Sequence, residues 1–280
     1  MTVSTFPFGF LKMMIAAVKN GNNLPEKISM VWTLLLLKFK KNFYSNSEKS
    51  ACTTKILDYK ISGYDYSTMQ DLFTEIFLSA PYFFNSPSEN PVIIDGGSNI
   101  GFSVLYFKKL YPASRIHAFE ANPYAFNLLQ KNISQNNLSD VSMHNVVLSD
   151  KKEETSFFID NDPGTIHGSV RKEMGGATEL KIQSILLSEF MSSLHGKIEL
   201  VKLDVEGSEH NIISDLFDAS VLSLPNQYII EYHHKPNGDK SALAEFLRKF
   251  EECGYEYNIK SLTPINKLGE YQDFMIHFYR

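Results

Sequence analysis

Apolar residues recur at helical spacing in the first part of the chain. Over residues 8–41 this pattern predicts helices, interrupted at residues 21–25 by a segment that contains glycine and proline. Alternating apolar residues predict a strand at 55–62, and helical spacing predicts a helix at 68–78. We therefore expect a helical N-terminal cap, which we place at residues 1–60.

Beyond residue 91, short apolar runs alternate with amphipathic stripes. The run at 92–94 ends at Asp95 and opens onto glycine, which is typical of a strand buried on both faces. The further strands are expected at 115–119, 141–148, 200–203 and 228–231, with helices at 100–110, around 125–133, at 208–217 and at 240–252. This alternation predicts a parallel sheet with helices on both faces.

The end of the chain adds two strands of a different kind. The segments 255–261 and 274–279 are joined without room for a crossover helix, so they must be antiparallel. Segments 155–159 and 179–185 predict an inserted hairpin. Its loop carries His167 and Ser169, which are candidates for substrate contact, with a solvated turn as an equal alternative. The prediction for residues 61–280 is a doubly wound, Rossmann-like α/β fold with a seven-stranded sheet whose last strand is antiparallel.

Composition and charge limit the class of protein. With 43% hydrophobic and 21% charged residues the chain can bury a core, and its net charge of −5 does not favour a nucleic-acid partner. Cys52 and Cys253 lie far apart, outside any CxxC pattern, so we expect neither a zinc site nor a disulfide framework. The expected setting is reducing and cytoplasmic.

The apolar run at 30–37 raises the question of a membrane. It is much shorter than the roughly 20 residues of a spanning helix, and it lacks the features of a secretory signal, so no transmembrane segment is expected. Lys38, Lys40 and Lys41 follow Trp32 and a run of leucines. Peripheral contact with a membrane therefore stays open beside the alternative that this helix packs on the rest of the fold.

The loop after the first strand of the predicted sheet is rich in glycine. Glycine allows a sharp turn and a close approach to a ligand at residues 95–101, and Glu120 ends the next strand, where a carboxylate can accept both hydroxyls of a ribose. Ligands of open parallel sheets bind beyond the carboxyl ends of the strands. The loop and the acid together indicate a cofactor of the adenosine type.

Two such cofactors compete for this position. NAD requires a G-x-G-x-x-G loop for its pyrophosphate, whereas this loop has the pattern D-x-G-x-N-x-G. An acid at its start would repel a pyrophosphate and could hold the α-amino end of S-adenosylmethionine. We expect S-adenosylmethionine, with an NAD-dependent oxidoreductase as the alternative. The expected cofactor-binding residues are Asp95, Gly97, Asn99, Gly101 and Glu120.

The segment after the fourth strand, residues 202–209, holds three acids where helix capping would explain one or two. It resembles the Lys-hydrophobic-Asp-hydrophobic-Glu-Gly-small-Glu hallmark of the FkbM family of S-adenosylmethionine-dependent methyltransferases. Residues 95–101 and 119–123 are also similar to that family's motifs, and the resemblance covers about residues 68–233. It implies a class I methyltransferase fold and O-methylation, with a hydroxyl of a sugar, a glycan or a polyketide-like small molecule as the acceptor.

The fifth strand ends in candidates for catalysis. A neutral His233 beside the Asp204 loop could take a hydroxyl proton, although a histidine at a strand end is more often structural. Asp204 and Glu231 could orient that histidine, act as the base themselves, or hold a divalent cation with oxygen ligands. The sequence leaves these three roles open.

The N-terminal segment contains none of these motifs, the first of which starts at Asp95. We expect residues 1–60 to serve substrate access or the docking of a partner, a second copy of the chain included, and not to build the cofactor site. The same apolar and basic segment motivates another alternative, a non-catalytic adaptor that keeps the fold.

Overall fold

The computed structural model describes residues 9–21, 23–44, 52–160, 168–172, 176–234, 242–262 and 273–280. The chain opens with two helices, α1 (Phe10–Asn20) and α2 (Leu24–Tyr44), separated where the sequence predicts the interruption. Helix α2 buries Met30, Thr33, Leu34 and Leu37 on one face. None of the helices in the described ranges combines the length and the apolar character that crossing a bilayer requires.

A β-hairpin follows these helices, formed by β1 (Cys52–Ile56) and β2 (Tyr59–Gly63). The prediction of one strand over 55–62 is wrong, because the chain reverses at Leu57, whose φ is +52°. A two-residue turn leaves the in–out alternation of side chains intact, so the apolar pattern continues across the reversal. The hairpin spans residue 60, and the helical part of the N-terminal segment ends earlier, at Tyr44.

The helix expected at 68–78 has two parts. Helix α3 (Tyr66–Leu72) begins with Asp65, whose carboxylate accepts the N–H of Thr68 at 2.8 Å, and a π-helix (Phe73–Leu78) continues it. A π-helix is rare and is frequently found at functional sites. Helix α1 packs against this π-helix, and the side-chain amide of Asn20 donates to the carbonyl of Leu78.

The remaining described strands and helices belong to the α/β part of the chain. The strands are β3 (Val92–Gly96), β4 (Arg115–Phe119), β5 (Val141–His144), β6 (Val147–Ser149), β7 (Glu154–Ile159), β8 (Gly168–Ser169), β9 (Thr178–Leu186), β10 (Ile198–Leu203), β11 (Gln227–His233), β12 (Glu256–Ser261) and β13 (Asp273–Tyr279). The helices are α4 (Phe102–Leu110), α5 (Pro123–Gln135), α6 (Leu187–Ser193), α7 (Glu209–Asp218) and α8 (Leu243–Glu252).

Within the described residues, seven strands form one sheet in the order β12-β13-β11-β10-β3-β4-β5. Strand β13 runs antiparallel to both of its neighbours, whereas the pairs from β11 to β5 are parallel. The strand order reverses between β3 and β10, which is the switch point where open α/β sheets bind ligands. The predicted doubly wound α/β fold, with a seven-stranded sheet whose last strand is antiparallel, is confirmed.

The strand predicted at 141–148 divides into two. Strand β5 stays in the large sheet, whereas β6 pairs in parallel with β9 in a smaller sheet of order β6-β9-β7-β8. The break falls at Asn145, whose side-chain amide donates to the carbonyls of Glu120 and Ala121 at 2.8 and 2.9 Å. The inserted hairpin is confirmed, since β7 and β9 pair antiparallel.

The core lies on both faces of the large sheet, because β3 and β10 are buried along their whole length. Ile93 packs into a cluster with Phe77 and Phe107 on one face, and Ile94 into a cluster with Phe250 on the other. This arrangement fixes the two central strands and with them the loops that follow each one.

Candidate functional site

A cleft with an empty volume of about 1080 Å³, open to solvent, lies at the carboxyl ends of the central strands. One part of its wall is apolar and is built by Phe119, Ala121, Val146, Val147, Leu148 and Phe157. The other part carries charged side chains, namely Glu75, Glu120, Lys202, Asp204, Glu206 and Glu231. The cleft thus joins an apolar slot to a group of acids around one lysine.

The backbone amides of the glycine loop all have acceptors inside the protein. These bonds run from Gly97 and Ser98 to the carbonyl of Phe119 at 2.9 Å each, from Asn99 to the Glu120 carboxylate at 2.7 Å, from Ile100 to the Asn99 side chain at 2.7 Å, and from Gly101 to the Ser98 carbonyl at 2.9 Å. The amides of residues 97–101, all described, are therefore already hydrogen-bonded, and a pyrophosphate could reach only the amides of the first turn of α4. This disfavours the NAD alternative.

Gly97 brings the glycine loop against the loop that follows β10. Its φ is +78°, and a Cβ at this position would lie 1.8 Å from the backbone carbonyl oxygen of Asp204. Only glycine can adopt this conformation and fill this space without a shift of one loop. The cofactor loop and the Asp204 loop are thus in backbone contact.

Glu120 lies at the centre of the cleft wall with 9% of its surface exposed. Its carboxylate accepts the N–H groups of Asn99 and Asn122, both at 2.7 Å. Burial raises the pKa of Glu120 to about 7, even though both of these hydrogen bonds favour the charged form. A carboxylate has about four acceptor positions, so Glu120 can still accept hydroxyl donors from the cleft.

Asp95 and Gly101 do not line the described part of the cleft. The Asp95 carboxylate turns into the protein, where it accepts the Ser103 hydroxyl at 2.5 Å and lies 3.3 Å from the Lys202 ammonium. Ser103 and Lys202 do line the cleft. Asp95 therefore acts on the site through these two side chains.

Lys202 contacts both the glycine loop and the loop that carries Asp204. Its ammonium donates to the carbonyls of Gly96 and Gly97 at 3.1 and 2.8 Å, and it lies 3.8 Å from the Asp204 carboxylate. Burial opposes its charge, but Asp95 and Asp204 outweigh burial and raise the pKa of Lys202 above its usual value. In the sequence, Lys202 is a lysine within an otherwise apolar strand, but the sequence analysis did not predict a role for it.

Asp204 and Glu231 both reach the cleft. Asp204 accepts the hydroxyl of Tyr82 at 3.1 Å. Burial raises the pKa of Asp204, with Lys202 acting in the opposite direction, and burial together with the charge of Asp204 raises the pKa of Glu231 well above its usual value. The charge of Asp204 therefore opposes ionisation of Glu231.

His233 lies between two carboxylates, with Nδ1 3.0 Å from Glu209 and Nε2 3.4 Å from Glu206. Burial alone would lower the pKa of His233, but the two acids outweigh burial and raise that pKa well above its usual value. These acids therefore favour the protonated imidazole, whereas the sequence analysis considered a neutral His233. The sequence analysis placed Glu209 in the hallmark segment but did not predict its contact with His233.

The geometry offers a different cation site from the expected pair of Asp204 and Glu231. Among the described residues, Asp204, Glu206 and His233 each present one ligand atom, and these atoms lie within 4.8 Å of one another. A histidine must be unprotonated to bind a metal, and His233 is held in its charged form. The two carboxylates fit a divalent cation, whereas the histidine fits one only after it loses a proton.

Sequence reasoning missed the part of the wall that precedes the sheet. Leu72, Glu75 and Ile76 reach the cleft from α3 and the π-helix, and Tyr82 reaches it from the connection to β3. No motif marks these residues. From the inserted loop, the hydroxyl of Ser169 donates to the carbonyl of Glu206 at 2.7 Å, whereas His167 lies outside the described residues.

Comparison with known proteins gives one family and several relatives. The family model described as "Methyltransferase FkbM domain" matches residues 95–257, which is more than half of the chain. Methyltransferase 1 of Beauveria bassiana is 30% identical over 165 residues, which cover 51% of this chain and 66% of that protein. The chain thus spans just under two thirds of the length of that relative.

Two further relatives are more distant in sequence. Methyltransferase sdnD of Sordaria araneosa is 28% identical over 217 residues, covering 67% of this chain and 82% of that protein. The 2-O-methyltransferase NoeI of Sinorhizobium fredii is 25% identical over 140 residues, covering 45% of this chain and 57% of that protein.

Proposed function

The chain belongs to the FkbM family of methyltransferases, and from this premise we propose that it transfers a methyl group from S-adenosylmethionine to a hydroxyl oxygen. One observation carries the proposal: the cleft sets the Glu120 carboxylate beside an apolar slot, and it sets Asp204 and Glu231 in the same cleft. These are the groups that an adenosine cofactor and a hydroxyl acceptor require.

The side chains of the slot fit the cofactor by their chemistry. Glu120 accepts the ribose hydroxyls, and the apolar wall with Phe119 and Leu148 takes the adenine ring. Gly97 and Asn99 also line the cleft. Ser103 and Lys202 line it too, and both contact the buried carboxylate of Asp95. When bound, the cofactor supplies an electrophilic methyl group on its sulfonium sulfur.

Asp204 and Glu231 are proposed as the proton acceptors. The acceptor hydroxyl loses its proton to this pair as its oxygen forms the new bond to carbon, while the carbon–sulfur bond breaks. A general base works best with a pKa near the operating pH, and burial raises the pKa of Asp204 in that direction. The proposed role of His233 is to hold Glu206 and Glu209 in place as a cation.

The proposed acceptor is a hydroxyl of a sugar, a glycan or a polyketide-like small molecule. The name of NoeI, a 2-O-methyltransferase, supports transfer to oxygen, and the polar side chains of Glu75, Tyr82 and Glu206 suit a ligand with several hydroxyl groups. Both cysteines are free thiols, which suits the proposed cytoplasmic setting.

No observation favours the adaptor alternative. Burying carboxyl groups until their pKa values rise is unfavourable for folding, and a protein without catalysis would gain nothing from it.

Two measurements test the proposal. Calorimetric titration should show binding of S-adenosylmethionine and much weaker binding of NAD. Methyl-labelled cofactor should then label a hydroxyl of a glycan or of a hydroxylated small molecule in an acceptor panel. Tighter binding of NAD would refute the cofactor, and label found only on nitrogen would refute O-methylation.

A further inference from the structure

One face of α2 exposes a continuous row of large apolar side chains. We call this row the apolar stripe of α2; it consists of Leu24, Ile28, Trp32, Leu35, Phe39 and Phe43. Spacings of three and four residues place these side chains on one side of the helix. Their exposed fractions range from 42% for Leu35 to 72% for Phe43.

The described part of the fold does not cover this stripe. The opposite side of the helix, with Met30, Leu34 and Leu37, is buried where α2 packs against α1 and α3. Single exposed apolar residues are common, but a row along a whole helix of 21 residues marks an interaction site. Phe39 and Phe43 stack within the stripe with ring centroids 4.6 Å apart, so this part of the surface is an aromatic patch.

Charge identifies the kind of partner. Residues 1–44 contain six lysines and one glutamate, although the whole chain has a net charge of −5, so the rest of the chain is strongly acidic. The glutamate, Glu26, is already paired with Lys109. By helical geometry, Lys27 and Lys38 border the stripe on one side and Lys40 borders it on the other; the ammonium groups of Lys38 and Lys40 also contact side chains of the protein. An apolar row with basic borders complements a surface that is apolar inside and anionic outside.

We propose that the apolar stripe of α2 docks on an anionic lipid membrane, with the helix lying in the plane of the interface. Interfacial helices bury their apolar face about 5 to 10 Å into the boundary of headgroups and acyl chains, with lysines at the headgroups. Trp32, 67% exposed in the middle of the stripe, is the residue type that membrane interfaces favour.

A second copy of the chain fits this face less well. A symmetric dimer through the stripe would bring the basic borders of both copies together, and like charges across an interface are unfavourable. The membrane proposal does not depend on methyl transfer, because binding to lipid is measured without a substrate.

The sequence supplies a direct probe, because Trp32 is the only tryptophan of the chain. The full chain is titrated with vesicles of phosphatidylserine and phosphatidylcholine in equal parts, and with vesicles of phosphatidylcholine alone. With the anionic vesicles we expect the tryptophan emission to shift to the blue, brominated acyl chains to quench it, and added salt to weaken binding. Unchanged emission with the anionic vesicles overturns the proposal.

Matched variants separate the stripe from general charge effects. Phe39→Asp removes a stripe residue that is 56% exposed, and Leu224→Asp makes the same charge change at a residue that is 45% exposed outside the helix. We expect Phe39→Asp to weaken vesicle binding at least about tenfold and Leu224→Asp to leave it nearly unchanged. Equal weakening by both variants overturns the proposal.

Two further controls complete the test. Ile28→Asp, also exposed, repeats the substitution near the start of the helix in case Phe39→Asp fails to fold, which circular dichroism detects. Sedimentation without lipid tests the competing occupant. A dimer that forms without lipid, shifts the emission and is broken by Phe39→Asp would show that a second copy covers the stripe, and it overturns the membrane proposal.

Discussion

The ammonium nitrogen of Lys202 lies 3.3 Å from the carboxylate of Asp95, and both side chains are excluded from solvent, with exposed fractions of 1% and 0%. The same ammonium holds the carbonyls of Gly96 and Gly97 and lies near Asp204. This pair therefore sets the distance between the cofactor loop and the acids of the cleft.

Removal of the Lys202 charge should destabilise the protein strongly. Lys202→Met leaves Asp95 buried without its cation, which typically costs about 3 to 5 kcal/mol in the free energy of unfolding. Asp95→Asn in the same chain removes the stranded charge, so we expect the double variant to recover part of the loss. Urea unfolding of both single variants and the double variant measures this coupling. Strict additivity of the two substitutions would contradict a direct pair.

The affinity for S-adenosylmethionine should increase with pH up to about 7. Burial raises the pKa of Glu120 to about 7, and only its charged form is a strong acceptor for the ribose hydroxyls. Well below that pH, affinity should fall by up to about tenfold per pH unit. Calorimetry on the wild type and on Glu120→Gln measures the effect, and the variant should bind roughly 1.5 to 3 kcal/mol more weakly at high pH.

The same shift of pKa has the opposite consequence for stability. The folded chain favours the protonated Glu120, so its contribution to stability is present at acid pH and is lost as the pH rises through about 7. Unfolding measured as a function of pH on Glu120→Gln tests this, and Glu189→Gln, which changes an exposed carboxylate, is the control that should keep the wild-type pH dependence. A pH dependence of affinity that persists unchanged in Glu120→Gln would exclude Glu120 as its source.

Substitution of the proposed base should act on turnover. Asp204→Asn should lower kcat by about 10²- to 10⁴-fold while changing cofactor affinity little, because general-base help appears mainly in the transition state. His233→Gln should lower kcat less, since it removes a cation that positions Glu206 and Glu209 and does not accept the proton. Steady-state kinetics with both substrates varied separates these effects. An Asp204→Asn enzyme with wild-type kcat would remove Asp204 from the role of base.

Chelation should leave activity intact. His233 is held as a cation by two acids, and a protonated imidazole offers no lone pair to a metal. Activity assays with EDTA, followed by Mg²⁺, test this expectation. Loss with EDTA and recovery with Mg²⁺ would identify Asp204 and Glu206 as metal ligands instead.

The contact at Gly97 can be tested against a glycine of the same backbone conformation. Gly97→Ala adds a Cβ that would lie 1.8 Å from the Asp204 carbonyl oxygen, whereas Gly254→Ala, at φ +80°, has nothing within 4 Å of its Cβ. Both variants bear the conformational strain of about 1 to 2 kcal/mol, and only Gly97→Ala should also lose cofactor affinity. Equal effects of the two on affinity would show that the loop contact is not needed.

The elements that the sequence predicted are those with a local signal. Strands β3 and β10 are continuous apolar runs, so their burial and their pairing at the centre of the sheet could be expected. The reversal at Leu57 gave no signal, because a tight turn preserves the alternation of side chains. The π-helix gave none either, because its apolar residues continue the pattern of α3.

The sequence predicted the positions of several site residues, but it did not predict the contacts that shift their pKa values. Glu120 and Asp204 lie in the cleft as the motifs predicted. The protonation of His233 depends on Glu209, and the environment of Asp204 depends on Tyr82, a residue 122 positions away in the chain. Such long-range contacts decide a pKa, and no local pattern reveals them.

The cleft is assembled from two stretches of sequence, of which the family model matches one. The part matched by the family begins at residue 95, whereas Leu72, Glu75, Ile76 and Tyr82 reach the cleft from an earlier stretch. That earlier stretch contributes no strand to the large sheet. Substitutions in that stretch can therefore reshape one wall of the cleft without altering any strand of the large sheet.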